Sequence, residues 1–418
     1  MKKFFLLVVV FYSTIDAVNI PNKFDDVSNL SNKLFLSVLD QTIEVKSDLY
    51  ATLPTSISLF SADAKFDGEH LKFCELGNGL YGIPVPAYAL LNEQKAVLYP
   101  PYWEFLWLYA SQFNIPVWCI KYSRAHVAHK TLKKLGGKTF DDIEEFEQFL
   151  QKNYPEEILT KEIPNKIENF TGILAYAGSR ISNDKLEEFK ARHPGILFVN
   201  DFSALYQRRK DKIHEVFNDK FLSQFRPLWG VYPARYSSNL VEQIKHEIGS
   251  KFYIIKPTVG RQARGVMLID EKNLDSILKS ILKTNKSNKF KNKNNKKQSH
   301  SFDWQDYEYD NFIVEEFIES KQVFKDNKPY DPTLRLGLIL SQDKGKINVN
   351  VITAFWKFPP KSLNDKCDLQ EKHVTKPMVG AHDPAQNVDA ADMTKIRAIL
   401  NGMLPELYVK ILNISKYE

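Results

Sequence analysis

Between about residues 100 and 205 the chain alternates short apolar runs with amphipathic stretches, and this restricts the fold more than any other feature. The segments 115–122 (IPVWCIKY), 171–177 (TGILAYA) and 195–200 (GILFVN) read as strands. Helical periodicity occupies 140–151 and 183–192 between them. Apolar strands separated by amphipathic helices imply a parallel sheet covered on both faces, because each crossover lays a helix on the sheet. An α/β domain is therefore expected over 96–205.

The flanks follow other patterns. In 18–95 short apolar runs are broken by Pro, Gly and Asn; the stretch 77–94 is punctuated like a loop entering a helix, and the segment belongs with the α/β unit. Beyond 205 the expected order is a helix over 204–225, a helix over 239–248, and a strand over 251–256. A glycine-bearing turn, a strand over 265–270 and a helix over 274–283 follow. A strand over 312–317 leads to the strands 334–341 and 346–356, joined across SQDKGK as an antiparallel hairpin. A closing helix covers 391–412. The expected fold class is α/β followed by α+β.

Composition excludes several partners. Apolar residues at 43% and aromatics at 13% suffice for packed cores and exclude global disorder. The net charge of +6 is misleading, since the stretch 283–301 holds seven lysines and no acid, which leaves −1 for the remainder. A nucleic-acid footprint needs Lys and Arg clustered on a structured face, so no nucleic-acid partner is expected. The tract 284–301 reads as a disordered Lys/Asn-rich insertion. Residues 1–17 read as a signal peptide, with two lysines, an apolar run over 4–12 and Ala17 at the cleavage site. This places the protein outside the cytoplasm, with a cytoplasmic location as the alternative. The run is too short to span a bilayer as a helix, and no later stretch approaches one. Cys74, Cys119 and Cys367 are too scattered for a disulfide framework or a metal site.

Three segments carry chemistry. In KFYIIKPTVGRQARGVMLID (251–270), Lys256 ends an apolar strand, where an unpaired ammonium group is costly. Beside it lies a turn with Gly260, Arg264 and Gly265. A point charge next to accessible backbone N–H groups suits phosphate oxygens. In NFIVEEFIES (311–320), Glu315 and Glu316 fall on opposite faces of a strand, so one turns to a ligand and the other to solvent. In YDPTLRLGLIL (330–340), Asp331 sits on a Pro-terminated turn, placed to hold Arg335 or a ribose hydroxyl. Arg335 has the planar fork that grips phosphate in bidentate fashion.

The order of these pieces, from strand lysine through glycine turn to a strand ending Glu-Glu-Phe-Ile, resembles the ATP-grasp superfamily and its glutathione synthetase-like ATP-binding fold. The resemblance covers about 200–360. It implies an ATP-grasp domain over 206–418, with 18–95 and 96–205 forming the α/β pre-ATP-grasp domain. It implies that Lys256 contacts the α- and β-phosphates, under a turn closing from Val259 to Gly265. Glu315, Glu316, Phe317 and Ile318 would form the adenine hinge. Lys212, with Lys210 second, would supply an earlier phosphate lysine, and Arg335 would touch the γ-phosphate or an acyl phosphate. The family also binds Mg²⁺ late in the chain, for which the candidates are Glu371, Asp383 and Asn387. The implied activity is an ATP-dependent carboxylate–amine ligase working through an acyl phosphate, with a small-molecule or peptide acceptor. A phosphotransferase on the same fold and a non-catalytic ATP-binding protein with a degenerate metal site are the alternatives.

Overall fold

Strand β1 (Ile43–Lys46) is followed by the hairpin of β2 (Ser56–Phe66) and β3 (Leu71–Asn78). The turn between the last two is built by Asp67, whose carboxylate accepts the amides of Glu69 and His70, while Gly68 takes φ +110°. This computed structural model describes residues 43–46, 50, 52–78, 106–107, 109–120, 132–133, 136–155, 163–176, 183–200, 210–258, 263, 265–283, 304, 310–375 and 385–414. Residues 1–17, the tract 284–301, Gly260, Arg264 and Asp383 lie outside these.

The alternating region folds as its periodicity implies, with one further short strand, β5, that the sequence reading did not expect. Strands β4 (Val117–Ile120), β5 (Lys138–Phe140), β6 (Gly172–Tyr176) and β7 (Ile196–Val199) run parallel in the order β5-β4-β6-β7. Helix α1 (Ile143–Asn153) begins later than its apolar pattern because Asp142 caps it, accepting the Glu145 amide at 2.8 Å. Helix α2 (Asn183–Arg192) matches its expected span. The helix expected over 204–225 is only α3 (Lys210–Val216) within the described residues. Past it, Asp219 accepts the amides of Phe221 and Leu222 and diverts the backbone into a short 3₁₀ turn, Leu222–Phe225.

A second, four-stranded sheet follows. Its strands β8 (Trp229–Pro233), β9 (Phe252–Pro257), β10 (Met267–Asp270) and β11 (Asn311–Glu316) pair antiparallel in the order β10-β9-β11-β8. One face packs against α4 (Ser238–Ile248) and α5 (Leu274–Lys283), burying Leu240, Ile244, Leu274 and Leu278 against Tyr253, Ile255, Phe312 and Val314.

The chain then makes a small hairpin of β12 (Val323–Lys325) and β13 (Lys328–Tyr330), and the long pair β14 (Thr333–Asp343) and β15 (Lys346–Lys357). The turn of this pair is Lys344–Gly345, both at positive φ (54° and 74°), as a two-residue type I′ connection demands. A short helix α6 (Leu369–His373), strand β16 (Ala385–Asn387) and a 25-residue helix α7 (Ala390–Ile414) close the described chain. No helix of the described residues is long and apolar enough to cross a membrane.

Strands β14 and β15 do not form a sheet of their own. They join the parallel strands through β2 in one ten-stranded mixed sheet, ordered β1-β15-β14-β2-β7-β6-β4-β5, with β16 paired to β15 and β3 to β2. That sheet crosses the boundary drawn from sequence at 205/206. Its strands come from 18–95, 96–205 and 206–418 alike. On one face Ala62, Ala64, Phe66, Leu334 and Leu336 pack against α7 through Ile396, Leu400 and Leu404.

Candidate functional site

Side chains alternate along a strand. With Tyr253, Ile255, Phe312 and Val314 committed to the helix-covered core, Lys256 and Glu315 emerge on the opposite face of β9 and β11. There Glu315 is 1% exposed. Its Oε2 accepts from Lys256 Nζ at 2.5 Å, and its Oε1 from Arg226 Nη2 at 2.8 Å. His214 of α3 places Nε2 at 3.2 Å from the same Oε1 and stacks its ring on Trp229, with centroids 4.4 Å apart. Lys256 also donates to the Cys74 carbonyl of β3 at 3.1 Å. Burial first, and then the neighbouring Arg226, Lys256 and Lys210, push the His214 pKa well below its usual value, so the ring is neutral. Lys210 opens α3, is buried, and points its ammonium toward Glu75 of β3 at 4.0 Å.

A second group lies on the face of β2 opposite α7. Asp63 and Lys65 are two residues apart and share that face. Arg335 on the adjacent β14 grips Asp63 in bidentate fashion, Nε to Oδ1 at 2.5 Å and Nη2 to Oδ2 at 2.8 Å. Lys357 at the end of β15 adds a bond at 3.2 Å. Burial would raise the Asp63 carboxyl, but the Arg335 and Lys357 charges prevail and hold it at about 2. Lys65 donates to Asp331 at 2.8 Å, as does the His373 ring at 2.8 Å, while the other Asp331 oxygen accepts the Ser320 amide at 2.7 Å. Burial opposes ionisation of Asp331 as well, and Lys65 with the His373 bond lowers its pKa all the same.

The two groups meet at β3. The Cys74 thiol, raised chiefly by burial, feels Lys256, Glu315, Lys65 and Arg226 at once. Glu75 acts on both Arg226 and Lys357. The result is one charged floor. Lys65, Lys210, Arg226, Lys256, Arg335 and Lys357 outnumber Asp63, Glu75, Glu315 and Asp331, so the balance is positive.

The structure brings Lys256, Glu315, Asp331 and Arg335 to this floor. Glu315 and Glu316 do point to opposite faces, and Glu316 accepts the Leu228 amide at 2.8 Å. The backbone N–H of Phe317 bonds Phe252 O at 3.0 Å, and its ring meets His373 edge-on. Ile318 follows, half-buried. Gly265 takes φ +71°, and its carbonyl accepts the Trp304 indole N–H at 2.9 Å. Two partnerships differ from the sequence reading. Asp331 holds Lys65 rather than Arg335, because Arg335 points across to Asp63 one strand away. Of the two α3 lysines, Lys210 faces the floor, whereas Lys212 lies toward solvent with Glu215 at 3.3 Å.

Sequence reading missed Asp63, Lys65, Glu75, His214, Arg226 and Lys357. Lys357 offered the same cue as Lys256, a lysine ending an apolar strand ahead of Pro. The others come from segments whose proximity only the topology creates.

For a metal the residues fit poorly. Glu371 lies on α6, where Asp368 caps its amide, and Asn387 is exposed on β16 opposite Phe355. Among the described residues no three His, Cys, Asp or Glu side chains gather in a metal-holding group. Asp383, the third member of the magnesium set expected from sequence, lies outside the described residues. For polyphosphate the fit is better, since buried ammonium and guanidinium groups in positive excess face one floor.

No family description matches this chain, and no curated protein matches it. Several solved structures are similar to part of it, two of them as follows. One is D-alanyl-alanine synthetase A from Vibrio cholerae O1 biovar eltor str. N16961, at 8% identity and a TM-score of 0.27, over 57% of this chain and 59% of that one. The other is the D-alanine-D-alanine ligase from Coxiella burnetii, at 9% identity and a TM-score of 0.24, over 58% of this chain and 68% of that one.

Proposed function

We propose that this chain binds ATP across the free face of β9 and β11 and uses it to join a carboxylate to an amine. The observation that supports the reading is the Lys256–Glu315–Arg226–His214 group, where two buried cations converge on one carboxylate at the face of β9 and β11. In the proposed reaction a substrate carboxylate oxygen bonds to the γ-phosphorus as the bridge to the β-phosphate breaks, releasing ADP. The amine then attacks the acyl carbon, phosphate leaves, and the amine loses its proton to solvent. Such chemistry asks the protein for positioning and charge neutralisation more than for a nucleophile. Lys256, Arg226 and Lys210 would hold the phosphates, and the stretch from Glu316 to Ile318 would border the base.

A non-catalytic ATP-binding protein is the second reading. It is favoured by Asp63, Asp331 and Glu315 all being engaged by cations rather than open.

Thermal unfolding of the full chain with and without ATP tests the proposal. Ligand at about a thousandfold over its dissociation constant stabilises the native state by about 4 kcal/mol. A rise of several degrees is expected, reduced in Lys256→Ala by the loss of a charged contact worth about 1.5–3 kcal/mol. No rise, or the same rise in the variant, removes the site assignment. Release of ADP on screening carboxylates with amines separates the ligase from the silent binder.

A further inference from the structure

The carboxylates on this floor have their oxygens already committed to side-chain cations and amides. Glu315 gives Oε2 to Lys256 and Oε1 to Arg226, with His214 beside it. Asp331 gives Oδ2 to Lys65 and His373 and Oδ1 to the Ser320 amide. Asp63 gives both oxygens to Arg335 and one also to Lys357. Magnesium takes oxygen ligands at about 2.0–2.1 Å in near-octahedral order. To use any of these carboxylates it must first expel an ammonium or guanidinium group from a buried pair, leaving that cation uncompensated, which is strongly unfavourable. Glu75 is the exception, part-exposed, and it too faces a cation, Lys210 at 4.0 Å.

The cations are arranged differently. Lys256 reaches the floor from β9, Arg226 from the start of the second sheet and Lys210 from the first turn of α3. They approach Glu315 and Glu75 from separate elements, and together they exceed those two carboxylates in charge. A polyphosphate entering here would compete with Glu315 and Glu75 for these donors.

We propose that this site takes its nucleoside polyphosphate as the metal-free anion, with Lys210, Arg226 and Lys256 supplying the neutralisation that a divalent cation would otherwise bring. The proposal rests on the nucleotide reading above and makes it narrower. The metal-free polyphosphate is the more negative species, and the floor carries the complementary surplus. Its affinity therefore does not depend on magnesium.

The test is calorimetric titration of the full chain with ATP, once in EDTA and once in excess magnesium. A dissociation constant in EDTA equal to or below that in magnesium is the expected result. In EDTA, Lys256→Met should weaken binding by at least about tenfold. Binding about tenfold or more tighter with magnesium overturns the metal-free assignment and leaves the nucleotide reading standing. Binding in neither buffer ends both. Unchanged affinity of Lys256→Met in EDTA also overturns the proposal, since the phosphates must then lie elsewhere.

Discussion

Glu315 and Asp63 are both buried acids surrounded by cations, yet their surroundings differ in kind. Asp63 is matched by geometry: one guanidinium fork covers both its oxygens and Lys357 completes the set. Glu315 is matched only by charge. Lys256, Arg226 and a neutral His214 reach it from three separate elements, with Lys210 close behind. A bidentate pair on neighbouring strands in register fixes a sheet. A converging set of single contacts is easier to reassign to an incoming anion. On this comparison the Asp63 group holds the hairpin β14–β15 to β2, and the Glu315 group is the one open to exchange.

The largest effect should come from removing each acid in turn. Glu315→Ala and Asp63→Ala each leave buried cations uncompensated and should cost about 3–5 kcal/mol in urea unfolding. ATP should restore part of that loss in Glu315→Ala, because phosphate replaces the missing carboxylate, and none of it in Asp63→Ala. Equal rescue of both variants would erase the distinction.

Acid should separate the two groups next. The unfolded His214 takes up a proton below about pH 6.5 while the buried ring does not, so stability contributed at this group falls as pH drops below that value. For Asp63 the folded pKa of about 2 lies below the model-compound value of 3.8, so its contribution is complete above about 3.8 and is lost as pH falls toward 2. The shift corresponds to about 2.5 kcal/mol. Urea midpoints followed from neutral pH downward should show the first phase removed by His214→Gln and the second by Asp63→Asn. A single phase common to both variants would mean that the groups titrate together.

The smallest contrast lies within α3. Lys210→Ala should weaken ATP binding by about tenfold, the cost of one charged contact, whereas Lys212→Ala should change it by less than about twofold, as expected for a solvent-facing pair. A reversed order in equilibrium titrations would return the phosphate lysine to Lys212.

Much of this architecture was written locally and could be read locally. The parallel strands β4, β6 and β7 and helix α2 follow from periodicity, the three-residue β5 does not, and the β14–β15 turn follows from Lys344–Gly345. Strand β2 escaped because SISLFSADAKF mixes Ser, Ala, Asp and Lys with its apolar residues, and neither face alternates cleanly once both are buried. The Asp67–Gly68 pair after it was a hairpin signal left unused. At the site, Lys256, Glu315 and Arg335 were legible because each interrupts or ends an apolar run. Their partners were not: nothing local to Asp63 announces Arg335, 272 residues away. Topology alone makes that pair, and local propensity carries no information about it.

The same separation sets an order of events during synthesis. Strand β2 leaves the ribosome early, finds β3 at once and β7 after β7 is made, and keeps its other edge bare until β14 exists. At about 5–20 residues per second that interval lasts roughly 15–50 s. Throughout it, an eleven-residue strand offers unpaired amides and carbonyls to any extended neighbour. The nascent chain thus spends most of its birth needing either a protective companion or a slow-growing population of its fellows.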